Sequence, residues 1–242
     1  MSFKKNISFV LIEPKKGGNV GASARALHNM GFKNLVLVNS NLHLDEEAKT
    51  FAMKGAYILQ NAKSFDTLEE AIAESSLVVG LTRRRGKKRG LFYEFEEGIQ
   101  KIRERASKNK VSVIFGRENS GLSNKETERC HFLITIPTGN TSSSINLSQS
   151  VLIMAYELSR YEMIKTRGEK IKSVTVKELD YLLNEVKNTL IYLNYGKRGD
   201  RDLLHSILRT MKGFFTRKGL TKAEMNMFLG IFKELRKKGG DS

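Results

Sequence analysis

Through the first 136 residues, short and nearly continuous apolar runs alternate with stretches of helical periodicity. The runs are Ile7–Ile12, Leu35–Val38, Leu77–Leu81, Val111–Phe115 and Phe132–Ile136, with a weaker one at Tyr57–Leu59. Strands that are apolar on both faces belong to a parallel sheet covered by helices on either side. The intervening amphipathic patterns predict helices over Asn19–Met30, Asp45–Lys54, Thr67–Glu74, Glu94–Lys108 and Leu122–Glu128. The fold class is therefore α/β with a parallel sheet. After Asn146 the strand pattern stops. Leu147, Val151, Met154, Ala155 and Leu158 recur at helical spacing, predicting one long helix over Asn146–Thr166. A polar stretch to Ser173 ends a first domain of residues 1–166. The remainder, 174–242, reads as a small all-helical domain with helices over Val176–Tyr195, Asp200–Phe215 and Thr221–Lys238. Thr221 with Glu224 three residues on is a capping box for the last helix.

Charge changes the picture from a generic α/β protein to one with a polyanionic partner. The 242 residues carry 42 Lys+Arg against 26 Asp+Glu, a net charge of +16. A surface this basic captures nucleic acid first and anionic membrane second. From Met163 onward there are 18 basic and 9 acidic residues, so the helical end is the more densely charged. Cys130 is the single cysteine, which excludes an internal disulfide and suits a reducing, cytoplasmic setting. Neither it nor His28, His43, His131 and His205 has metal-ligand spacing, so no metal is expected. The run after Asn6 is ended by Glu13 and is too short for a signal segment, and no apolar stretch is long enough for a membrane span.

Polar clusters that could carry chemistry occur at three places. The turn Lys15-Lys16-Gly17-Gly18-Asn19-Val20-Gly21 joins the first strand to the first helix, and reads either as a tight turn or as a phosphate contact at a helix N-terminus. It is neither a P-loop nor a dinucleotide fingerprint. Arg25 follows among Ala22, Ala24, Ala26 and Leu27, either buried with a partner or reaching solvent. The second cluster, Phe115-Gly116-Arg117-Glu118-Asn119-Ser120-Gly121-Leu122, lies at the carboxyl end of a strand, where parallel α/β sheets bind ligands. The third, Thr141-Ser142-Ser143-Ser144-Ile145-Asn146, opens the long helix, as an N-cap or as part of a site.

Taken in order, Asn19-x-Gly21 with Arg25, Phe115–Leu122 and Ser144-Ile145-Asn146-Leu147 resemble the three motifs of the 2′-O-ribose branch of the SPOUT RNA methyltransferases. The resemblance covers residues 6–162. From Phe115 to Leu158 it is similar to the subgroup acting on cytidine or uridine at tRNA position 32, and Asp202–Leu235 resembles that subgroup's helical extension. Two departures are Ile145, where leucine is usual, and Leu81-Thr82-Arg83-Arg84, where smaller and less charged residues are usual.

The resemblance implies a trefoil-knotted domain, S-adenosylmethionine as cofactor, a tRNA substrate and a homodimer whose sites are built between subunits. It implies cofactor contacts from Leu81, Thr82, Arg83, Gly116, Ile136, Ser143, Ser144 and Ile145, so that a valine at Gly116 would fill the pocket. Its implied catalytic set is Asn19, Arg25, Glu118, Ser144 and Asn146. Arg25 is then either the base for the ribose hydroxyl or a cation that favours the developing alkoxide. The helical stripe Leu147, Val151, Met154 and Leu158 reads as core or as part of the dimer interface. The run Arg84, Arg85, Lys87, Lys88 and Arg89 is expected on the RNA backbone, as are Arg209, Lys212, Arg217 and Lys218 of the basic extension. Ribosomal RNA as the substrate, or RNA binding without catalysis, are the alternative functions.

Overall fold

The structure is a computed structural model describing residues 3–84, 90–139, 144–160, 173–195 and 201–238, with the side chains at 201, 202, 218 and 238 left out. The chain divides into two compact units, residues 1–167 and 168–242. The first is built on six parallel strands: β1 (Ile7–Ile12), β2 (Asn34–Val38), β3 (Lys63–Phe65), β4 (Leu77–Leu81), β5 (Val111–Phe115) and β6 (Phe132–Ile134). Their order in the sheet is β3-β2-β1-β5-β4-β6. The helices between them are α1 (Gly17–Met30), α2 (Glu46–Ala52), α3 (Ala56–Gln60), α4 (Leu68–Ile72), α5 (Phe95–Ala106) and α6 (Asn124–Glu128), with α7 (Leu147–Arg160) after β6.

In β1, successive residues from Phe9 to Ile12 are all buried, although they point alternately to opposite faces. Helices therefore cover both sides of the sheet, as the unbroken apolar runs require. Phe9 sits at the centre, stacked on Phe115 of the neighbouring β5 and edge-on to Phe32. The register pairs Leu11 with Phe115 and with Leu37, so β1 and β5 end side by side. The loops that follow these two strands carry the first two polar clusters, and topology alone makes them neighbours.

Two expectations need correction. Tyr57–Leu59 is not a strand but lies in α3. Gly55 packs so closely on α1 that an added Cβ would lie 2.7 Å from the Ala24 carbonyl oxygen, and the chain leaves that contact as a helical turn burying Ile58 and Leu59. The strand of this region is instead β3, Lys63-Ser64-Phe65. Lys63 and Ser64 are exposed and Phe65 is half-buried, so this short strand, paired with β2, carries no apolar run. The stripe Leu147, Val151, Met154 and Leu158 is buried in the core of the first unit, so the interface role belongs elsewhere. Of the long helix expected over 146–166, Leu147–Arg160 is helical and residues 161–166 lie outside the described residues.

The second unit contains α8 (Val176–Tyr192), α9 (Arg201–Lys218) and α10 (Lys222–Lys238). Thr175 with Glu178 caps α8, and Thr221 with Glu224 caps α10 through reciprocal hydrogen bonds. Val174, Leu179, Leu182, Phe215 and Leu220 form its small core. Among the described residues, no helix is long and apolar enough to cross a membrane, and no group of His, Cys, Asp and Glu is placed to hold a metal.

Because Phe9 is fully buried against two rings, Phe9→Ala is expected to lower the unfolding free energy of the first unit by about 3–5 kcal/mol. Urea denaturation followed by circular dichroism measures it.

Candidate active site

Glu118 stands at the carboxyl end of β5 and reaches back to the start of α1. Its carboxylate accepts the backbone N–H of Lys15 at 3.0 Å and the side-chain amide of Asn19 at 2.8 Å. The N-terminal end of α1 therefore already holds an anion, supplied by the chain's own second cluster. The glycines of the first turn serve a different purpose. A Cβ on Gly21 would lie 2.1 Å from the Ala48 carbonyl, and one on Gly17 would strike the Asp45 carboxylate. They let α1 pack closely against α2 and its acidic start, as the tight-turn reading of this segment expects.

The third cluster joins the same network. Asn146 donates its side-chain amide to the Asn19 side-chain oxygen at 3.1 Å. Its own side-chain oxygen accepts the backbone N–H of Ser148 at 2.9 Å, which caps α7. Asn146 is thus both an N-cap and a member of the site. One hydrogen-bonded chain, Glu118–Asn19–Asn146, links three loops 127 residues apart at its extremes.

Beside this chain opens a cleft of about 320 Å³. It is walled by the ends of β4, β5 and β6 and by the start of α7. Leu81, Thr82, Arg83, Gly116, Ile136, Ser144 and Ile145 all line it, as does Glu118. Ser143 lies outside the described residues. Gly116 is required there by backbone approach. A Cβ would sit 2.1 Å from the Gly121 carbonyl carbon, so a valine would break the loop before it filled the cleft. Phe115, Thr135, Thr138, Leu147 and Ser150 also line it and were not expected. Thr135 lies just past β6, where its hydroxyl donates to the Thr82 carbonyl at 2.7 Å. This contact ends β6 two residues earlier than its apolar pattern suggests.

Arg25 and Arg84 are placed differently. Arg25 is exposed, the second of its two sequence readings, has no polar partner among the described residues, and is not among the residues lining the cleft. Arg84, expected on RNA, lines the cleft and donates to the backbone carbonyls of Ser120 and Leu122, fastening the loop after β4 to the loop after β5. Arg85, Lys87, Lys88 and Arg89 lie outside the described residues. In the second unit Arg209 and Arg217 are exposed and Lys212 is half-buried, while the side chain of Lys218 is among those left out.

Arg117 is a site residue that the sequence patterns did not single out. Its Nε and Nη2 grip the two oxygens of Glu13 at 3.0 and 2.5 Å, and its Nη1 meets Glu126 at 3.0 Å. The hydrogen bonds to Glu13, then those to Glu126, hold its guanidinium above the usual arginine range. In return, the hydrogen bond from Arg117 draws the Glu13 carboxyl below the usual glutamate range.

The sequence profile of the SpoU rRNA Methylase family matches residues 6–156. The chain belongs to this family. Full-length relatives extend the match past the methylase region. The tRNA (cytidine/uridine-2'-O-)-methyltransferase TrmJ of Yersinia enterocolitica is 33% identical over 238 residues, covering 96% of this chain and 92% of its own. An uncharacterised tRNA/rRNA methyltransferase of Haemophilus influenzae is 30% identical over 97% of this chain and 96% of its own. The crystal structure of TrmJ from Z. mobilis ZM4 superposes with a TM-score of 0.78 at 27% identity, covering 94% of this chain and 98% of that one. The methylase region of the family thus contains the whole cleft and all three linked loops.

A glutamate whose pKa is depressed by folding adds stability that is complete above its unfolded pKa and is lost as pH falls through the folded one. Glu13→Gln is therefore expected to cost about 1 kcal/mol at neutral pH. The gap between variant and wild type should close as the solution is acidified below the ordinary glutamate range. Urea midpoints across that pH series measure it.

Proposed function

We propose that the protein transfers a methyl group from S-adenosylmethionine to a ribose 2′-hydroxyl of tRNA, at cytidine or uridine 32 of the anticodon loop, acting as a cytoplasmic homodimer with a trefoil-knotted first domain. The hydrogen-bonded chain Glu118–Asn19–Asn146 at the mouth of the cleft carries the reading. Position 32 is supported by the resemblance of Phe115–Leu158 to the subgroup that modifies it, and tRNA by the names of the full-length relatives.

The cleft suits an adenosyl compound in size, in its apolar walls of Leu81, Phe115, Ile136 and Ile145, and in the hydroxyls of Thr82, Ser144 and Ser150. When bound, the cofactor supplies a methyl group already activated by its sulfonium. The protein's task is then alignment and charge stabilisation at the ribose oxygen. Glu118 and Asn146 hold Asn19, and together these side chains fix the edge on which the ribose would rest. Ser144, on the cleft wall beside Asn146, can orient the 2′-hydroxyl or the cofactor. A guanidinium is a poor base but a strong partner for a developing alkoxide and for a neighbouring phosphate, which are the roles Arg25 can fill.

Arg25 is exposed on α1 and is not among the cleft-lining residues, so in this reading a second copy brings it to the reaction. Phe51, Met53, Tyr57, Leu152 and Tyr156 are exposed apolar side chains on α1's neighbours α2, α3 and α7 and on the turn after α2. They offer the surface for such a pairing. Two inactive variants test it together. Arg25→Ala alone should abolish transfer to tRNA while leaving cofactor affinity by calorimetry within about twofold. Mixed with Glu118→Gln, it should regain activity, because one site of the mixed dimer receives both intact residues. Mapping the modified nucleotide in total RNA completes the test. Label in ribosomal RNA alone, or no regained activity in the mixture, would overturn the corresponding part.

The second unit is assigned to holding tRNA through Arg209, Lys212, Arg217 and Lys218. Each phosphate contact releases counterions, so affinity should fall steeply with salt. A chain ending at Thr166 is expected to keep cofactor binding and to lose at least tenfold in tRNA affinity, about 1.4 kcal/mol. Filter binding at matched salt measures it, and an unchanged affinity and salt slope would remove the role.

A further inference from the structure

We propose that Arg117 is a positioning residue for the methyl-transfer site. By locking the loop after β5 onto the loop after β1, it sets where Glu118, and through it Asn19 and Asn146, can stand. The kinetic part of this inference rests on the proposed reaction; the geometric part does not.

Each of the three guanidinium nitrogens of Arg117 is engaged. The fork to Glu13 is bidentate, with both carboxylate oxygens used, and Nη1 meets both oxygens of Glu126 at 3.0 and 3.2 Å. The two carboxylates come from different elements and are fixed independently. Glu13 follows β1 with a positive φ of 41°, a conformation that costs energy for a residue other than glycine and is held by its N–H on the Val38 carbonyl. Glu126 accepts the Ser123 N–H at 2.7 Å in the capping box that opens α6. The side chains of Arg117, Glu13 and Glu126 are 20, 28 and 14% exposed, so solvent screens this triad less than an ordinary surface pair.

The backbone transmits the clamp to the site. The Arg117 carbonyl accepts the Gly121 N–H at 2.8 Å, closing the loop that contains Glu118, Asn119 and Ser120. Arg117 and Glu118 then grip the same first loop two residues apart, one at Glu13 and the other at the Lys15 N–H and Asn19. A lysine could keep one carboxylate but not both, since an ammonium lacks the planar fork. Arg117 has no need to touch a reactant for this. Its donors already have partners, and its effect runs through the neighbouring carboxylate.

The test compares wild type with Arg117→Met and Arg117→Lys. Backbone amide exchange at Lys15 should speed at least tenfold in the Met variant, with amides in the sheet centre unchanged. At a temperature well below the variant's melting point, kcat should fall at least tenfold while KM for tRNA stays within about twofold, the pattern of lost alignment. The Lys variant should lie between. Adding Glu13→Gln to Arg117→Met should change kcat by less than about twofold, because both break one tie. A destabilised control, Ile72→Ala in α4, which is buried against the β2–β3 side of the sheet, should lower the melting point and keep kcat. Unchanged exchange at Lys15 or unchanged kcat in the Met variant would overturn the proposal, as would a kcat loss that the control shares. If the Met variant does not fold, full activity and unchanged Lys15 exchange in the Lys variant would overturn it. A wild type without tRNA methylation would defeat the proposed reaction, and Lys15 exchange would still decide the clamp.

Discussion

Glu118 binds the beginning of the first helix from 103 residues away, and the candidate site exists because of that contact. A carboxylate next to a helix N-terminus is favoured by the helix dipole and by the unpaired N–H groups there. Here the carboxylate is bound by the Lys15 N–H just before α1 and by the Asn19 side-chain amide in its first turn. The contact is possible only because β1 and β5 are hydrogen-bonded neighbours that end in register, with Leu11 opposite Phe115. Sheet order, strand length and the buried stack of Phe9 on Phe115 therefore decide where the Glu118 carboxylate stands. Were β5 to slip by one residue, Glu118 would turn to the opposite face and the chain to Asn19 and Asn146 would be lost.

The site has two mechanical regimes. Around Glu118 the loops are fastened repeatedly: Arg117 to Glu13 and Glu126, Arg84 to the Ser120 and Leu122 carbonyls, Gly116 against Gly121. Such over-determined loops form the stiff wall that alignment catalysis needs, since an error of 1 Å can cost on the order of a hundredfold in rate. Arg25 belongs to the other regime. It is exposed on α1 and has no polar partner among the described residues, so none of these ties restrains it.

Much of the fold was legible because buried parallel strands announce themselves as apolar runs, and β1, β4 and β5 begin and end where those runs do. Two elements were not. β3 is three residues long and exposes Lys63 and Ser64, so it forms no apolar run, and α3 hides in an apolar triplet whose helical form is imposed by the approach of Gly55 to α1. Of the residues that line the cleft, the Phe115–Leu122 cluster was legible from its place at a strand end, whereas Leu81, Thr82, Arg83, Ile136, Ser144 and Ile145 were implied only by the family resemblance. Arg117 lay inside a recognised cluster but gave no signal of its own. Its partners, Glu13 and Glu126, are far apart in sequence, and only register brings them to one guanidinium. Arg84 was read as a phosphate ligand from a run of like charges. In the structure its nearest acceptors are backbone carbonyls, which a charge pattern cannot display.

The relation of charge to site follows from these placements. An overall charge of +16 draws a polyanion towards the whole protein, yet the cleft itself is lined by only a few cations and by Glu118. Arg83 and Arg84 are at its rim and Arg117 is neutralised by two carboxylates. Long-range attraction and local chemistry are thereby separated. A pocket filled with free cations would bind phosphate tightly and hold RNA by its backbone at the place where a ribose must lie. It would also oppose the entry of a cofactor that carries a sulfonium. Pairing Arg117 internally, and leaving Glu118 as the carboxylate facing the cleft, keeps the wall compatible with a positively charged methyl donor.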